Sequence, residues 1–159
     1  MLDENAQARV NQAYTQIFII WSGMLGAVIL YGALSYFSTQ SKSPHFAPSV
    51  SMMRPILLVA ALSSVCAAHF IKQMVLQRVL SQNTSSLAII ITTFTTACQV
   101  SFGLSESAAL YGLFLVFMTN SMKEIFPFAG ISLAGFLLYL PQKTQLESLI
   151  AEKWDRKNQ

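Results

Sequence analysis

Apolar residues fall into four long blocks separated by short polar stretches. The first spans about 13–37, reads YTQIFIIWSGMLGAVILYGALSYF and carries no charge. At 1.5 Å per residue, such a helix exceeds the ~30 Å hydrocarbon layer of a bilayer. The second runs from about Met52 to Gln77 around the core ILLVAALSSVCAAHFI, with Pro55 expected in its first turn. The third, Leu87 to Met118, is 32 residues with one charge, Glu106. It holds no Pro and no turn dipeptide, and either half alone is too short to span. It is therefore expected to be one long helix of ~48 Å by rise, with Glu106 deep inside. The fourth, about Ile125 to Leu140, has Pro127 near its start and is stopped by Pro141.

The connections fit this division. STQSKSPHFAPS, with Pro44 and Pro48, is a loop, and its His45 is read as solvated. QRVLSQNTSS suits a tight hairpin in which Thr84 or Ser85 caps the next helix. The expected class is all-α, an integral membrane protein with four transmembrane helices and a central long-helix hairpin. Residues 1–12 form a polar N-terminal segment and 13–141 the four-helix domain. Residues 142–159 form an amphipathic cytoplasmic tail. Its face of Leu146, Leu149, Ile150 and Trp154 is expected on the membrane surface. The first block lacks a small-residue cleavage site and reads as an uncleaved anchor.

Composition strengthens the picture. The 159 residues are 53% hydrophobic and 11% charged, and the mean hydropathy is +0.50. Soluble domains carry about 25% charged residues, so a soluble enzyme or a disordered chain is excluded. No basic cluster is interleaved with aromatics, so nucleic acid is not an expected partner. Cys66 and Cys98 lie in apolar blocks and read as packing residues, not a disulfide. No Cys/His spacing points to a metal, and no nucleophile set or phosphate-cradling loop points to an enzyme.

Charge sets the expected orientation. With four spans, Arg9, Lys72, Arg78, Lys143, Lys153, Arg156 and Lys157 share one side; Lys42, Arg54 and Lys123 share the other. Lys and Arg collect in the cytoplasm, so both termini are expected there, in a bacterial inner membrane. Small residues recur four apart: Ser22 with Gly26 and Gly23 with Ala27 in the first block, and Ala60, Ser64 and Ala68 in the second. Such stripes let helices approach closely, which makes a homo-oligomer an expectation.

Glu106 is the outstanding chemical feature. A carboxylate in hydrocarbon costs several kcal/mol, and burial favours the neutral acid unless a cation or hydrogen-bond donors compensate. Reversible binding of H⁺ or Na⁺ uses that imbalance directly. Ser107 adds a hydroxyl, Tyr111 lies five residues on, and the Leu104 carbonyl becomes an acceptor if the helix adjusts near Gly103. Such oxygens suit alkali cations. His69, on the second block, is the other intramembrane ionisable candidate, although Lys72, Gln73 and Arg78 follow it closely.

The run Gly103-Leu104-Ser105-Glu106-Ser107-Ala108-Ala109-Leu110-Tyr111-Gly112-Leu113 resembles the ion-binding helix of the proteolipid (subunit c) of rotary ATPases. The resemblance implies Glu106 as ion carrier, with Ser107, Tyr111 and the Leu104 carbonyl coordinating or orienting it. Ser directly after Glu resembles the Na⁺-binding variants. The hairpin of the second and third blocks matches the family layout. The glycine-rich first helix and the Arg-Gln-Pro loop of that family are absent, and two helices are extra. By depth in the hairpin, Ser63, Ser64 or His69 is the second-helix partner. No cofactor beyond the bound ion is implied, and other membrane subunits are possible partners. The alternative is a non-catalytic tetraspan scaffold or accessory subunit in which Glu106 makes a packing hydrogen bond.

Overall fold

The computed structural model describes residues 4–40, 50–81 and 86–157, with side chains except those of 50, 51, 80 and 154–157. His45, Lys42, Thr84, Ser85 and the Trp154 side chain lie outside that description. Five α-helices appear in it: α1 (Glu4–Thr39), α2 (Val50–Ser81), α3 (Leu87–Thr119), α4 (Ile125–Leu138) and α5 (Lys143–Lys157). A single 3₁₀ turn, Met122–Glu124, precedes α4. No strand occurs among the described residues.

α1 begins well before the apolar block. Residues 4–12 hold no helix breaker, Glu4 complements the positive end of the helix dipole, and Ala, Gln and Arg favour helix. The polar start and the apolar span are thus one continuous helix of 36 residues. α2 starts earlier than expected, so Pro55 sits inside the helix, beyond its first turn.

α3 is one uninterrupted helix of 33 residues, as its lack of breakers predicts. Ser86, with extended backbone angles, occupies its N-cap position. At the other end Asn120 adopts a left-handed conformation (φ 53°), and its N–H donates to the Val116 carbonyl at 2.8 Å. Asn is among the few non-glycine residues that tolerate that geometry.

α3 is the axis of the molecule and packs along α1, α2 and α4. Phe94, Cys98 and Phe102 of α3 are buried with Ile17 of α1 and Phe136 of α4. Further along α3, Ala108 and Leu115 form a second buried group with Ala61 of α2 and Phe128 of α4. In lipid no hydrophobic drive holds helices together, so close backbone approach must supply the contact energy. It does so at two glycines. A Cβ on Gly112 would lie 2.7 Å from the Phe128 Cβ, and one on Gly135 would lie 2.6 Å from the Ser105 Oγ.

Three helices, α1, α2 and α3, are long and apolar enough to cross a membrane. α4 has 14 residues, about 21 Å by rise, short of the ~30 Å hydrocarbon core. Pro141 and the break at Tyr139–Gln142 end it, and α5 departs at 45°. A fourth crossing exists only if this bent pair counts as one span.

α5 also differs from the surface-lying tail expected from its amphipathic pattern. Leu146 and Ile150 are fully buried in the same group as Val10 and Ile17 of α1, and Lys153 Nζ donates to the Val79 carbonyl near the end of α2 at 2.7 Å. The protein itself covers the apolar face of α5. The starts of α1 and α3, the end of α2 and α5 therefore gather at one end of the bundle. At the opposite end Arg54 pairs with Glu124, Nε to Oε2 3.1 Å.

Candidate functional site

α3 carries Glu106 three residues past its midpoint at Gly103, roughly 4–5 Å along the axis. No break occurs at Gly103, so the carboxyl projects from the middle of a continuous helix. It is half-buried. Its partner comes from α1: the Tyr31 hydroxyl donates to Glu106 Oε1 at 2.5 Å. The two residues are 75 apart in sequence. α1 and α3 pack against each other, and a turn in the last third of α1 meets the middle of α3. Arg54 pairs with Glu124 and Lys143 with Glu147, and among the described residues Glu106 forms no ion pair.

The expected neighbours are arranged differently. The Ser107 hydroxyl donates to the Leu104 carbonyl at 2.8 Å. Both oxygens are thus engaged with each other along α3, and the regular helix gives the Leu104 carbonyl no turn toward the carboxyl. Tyr111 is half-buried against the Ala61–Ala108–Leu115–Phe128 group. The geometry does not gather Ser107, Tyr111 and Leu104 around Glu106 as an oxygen cage.

The second-helix candidates divide in the same way. Ser63 is exposed and donates to the Val59 carbonyl at 2.7 Å; Ser64 donates to the Ala60 carbonyl at 2.9 Å. Both satisfy themselves on α2, the usual behaviour of helical serines in apolar surroundings. His69 is exposed, 3.1 Å from Gln73 Nε2 through its own Nε2, with its ring 6.4 Å from that of Tyr139. It belongs to a different place in the fold, the junction of α2 with the end of α4.

The small-residue stripes also separate. Ala68 is fully buried, and its carbonyl accepts from Ser101 Oγ of α3 at 3.4 Å. It packs within the chain rather than on an outer face. Ala60 and Ser64 are half-buried on α2. Gly23 and Gly26 are exposed, and a Cβ at either would meet nothing within 4 Å.

Sequence analysis did not single out Tyr31, the donor to Glu106. Trp21, also outside the expected site, sends its indole N–H to the Phe136 carbonyl at 3.2 Å. α4 ends two residues later, so that carbonyl lacks a helical partner. The Tyr139 hydroxyl likewise donates to the Val65 carbonyl of α2 at 2.8 Å. The available signal was shared by all three: a polar aromatic tip in an apolar stretch must find a partner. Among the described residues no group of three His, Cys, Asp or Glu is placed to hold a metal.

Comparison with protein-family models, curated proteins and solved structures finds no match. The described residues form an all-helical fold with three helices long and apolar enough to cross a membrane, one of which carries an acid near its middle.

Proposed function

We propose that this chain is a proteolipid-like membrane subunit that binds and releases a monovalent cation at Glu106, with a proton as the favoured ion. The carrying observation is the half-buried carboxyl in the middle of α3, which among the described residues has Tyr31 as its hydrogen-bond donor and no ion pair. Tyr31 occupies Oε1, and a proton binds at Oε2. The neutral acid escapes the penalty for a charge at bilayer depth, several kcal/mol; the ionised form keeps a phenol donor that partly offsets it. The Ser107–Leu104 bond supports H⁺ over Na⁺, because coordination of Na⁺ would require both oxygens to leave each other. Association of several copies through the exposed Gly23–Gly26 face belongs to the same reading, as does a cytoplasmic location for both termini.

A second reading rests on the same bond. Tyr31–Glu106 ties α1 to α3, which is also what a scaffold or accessory subunit would use it for. A hydrophobic carbodiimide distinguishes the two, since it attacks a protonated carboxyl within hydrocarbon. Under the ion-binding reading Glu106 is modified in bilayers, and rising pH slows the reaction. Modification that is absent or indifferent to pH and Na⁺ supports the scaffold instead.

A further inference from the structure

A cleft of about 380 Å³ lies between the last turns of α2, the end of α4 and the start of α5. That volume falls in the range of small-ligand sites, roughly 300–1,000 Å³. One helical face of α2 supplies His69, Lys72, Gln73 and Gln77, at spacings that stack along a helix. Gln145 and Ser148 of α5 face them, and Tyr139 closes the end. The lining contains no carboxylate.

Lys72 is the unusual member. It is half-buried, and its contacts are neutral: Gln145 Oε1 at 3.5 Å and the Tyr139 ring, 5.8 Å from Nζ to centroid. Lys143, the nearby cation of α5, is already paired with Glu147 at 3.4 Å. A cation at the rim of a polar cleft whose described neighbours are neutral is free to take an anionic partner. The cleft adds side-chain amides and a hydroxyl that donate to oxyanions.

The surroundings identify the kind of anion. Leu138 lines the cleft, and exposed apolar side chains lie next in sequence to its lining: Phe70 after His69, Met74 after Gln73 and Leu137 before Leu138. The cleft also lies at the end of the bundle where Arg9, Arg78, Lys143 and Lys153 are found. A polar, basic notch opening onto an apolar face fits an amphiphile with an anionic head. We propose that this cleft binds the phosphate of an anionic phospholipid, with Lys72 as counter-charge and acyl chains along Phe70, Met74 and Leu138. The site is separate from Glu106. Ser101 of α3 meets Ala68 of α2; Glu106 lies five residues beyond that level and Lys72 four residues the other way, about 13 Å apart along the bundle.

Acylation of Lys72 in the full-length protein, read by peptide mass spectrometry, measures occupancy without a variant. Micelles doped with phosphatidylglycerol are expected to slow the reaction about tenfold, the worth of one charge-assisted hydrogen bond, while phosphatidylcholine leaves it unchanged. Native mass spectrometry gives the second measure: Lys72→Gln lowers phosphatidylglycerol retention by a similar factor, Lys72→Arg keeps it, and Lys123→Gln at the opposite end has no effect. Equal protection by both lipids overturns the proposal. Protection by millimolar inorganic phosphate equal to that by phosphatidylglycerol overturns the lipid as source and leaves a soluble phosphate as the ligand. No protection by any of them overturns the site altogether.

Discussion

At Glu106 a strong acceptor meets one phenol donor, and the consequences are local. Tyr31→Phe removes the hydrogen bond and keeps the ring. Hydrogen bonds between membrane helices average about 0.6 kcal/mol, so the variant should unfold only slightly more easily in detergent. Its larger effect should be on carbodiimide chemistry: without the phenol on Oε1 the carboxyl is more open to the reagent, so Glu106 is modified faster than in the wild type. An unchanged rate would show that Tyr31 does not control the site. Glu106 itself was legible because it is one charge in 32 apolar residues. Its partner was not. A tyrosine late in an apolar block reads as an interfacial anchor, and nothing local in the sequence reports a contact 75 residues away. The bond Ser107 makes was not legible for a related reason: a helical hydroxyl has its own backbone carbonyl within reach, and here it donates to the Leu104 carbonyl.

Among the elements, α3 decides the architecture, and its glycines are not equivalent. Gly112 touches the Phe128 Cβ, whereas a Cβ on Gly103 meets open space. Gly112→Ala must push α4 away, a cost of about 1–3 kcal/mol typical of overpacking. Gly103→Ala gains about 0.5–1 kcal/mol from the stiffer helix. Thermal unfolding in detergent should therefore show opposite shifts for the two, and shifts of one sign would contradict the packing described. The continuity of α3 was readable from the absence of breakers. The extension of α1 was not, because residues 4–12 are polar and hydropathy alone marks only the buried or lipid-facing part. α5 was recognised as amphipathic, yet its pattern is the same whether lipid or protein covers Leu146 and Ile150. Only the return of α5 onto α1 settles it.

For the whole molecule, α5 and the start of α1 share one end of the bundle with the end of α2 and the start of α3. Reporter tags on the two termini are expected on the same side of the membrane, as the four-pass reading requires; tags on opposite sides would limit the chain to three crossings. The cysteines offer a check on burial. Cys66 is exposed on α2 and Cys98 is buried in the core, so in detergent a small apolar maleimide should modify Cys66 faster than Cys98, which should react only after unfolding. Equal labelling in the folded protein would contradict the placement of α3 at the centre. The central claim, an acid held at mid-helix depth that takes up and gives back a proton, is tested most directly by infrared difference spectroscopy of the bilayer-reconstituted protein during a pH titration. A protonated-carboxyl band should appear and vanish reversibly in the wild type and be missing in Glu106→Gln. The same band at every pH, or no difference between wild type and variant, would contradict it.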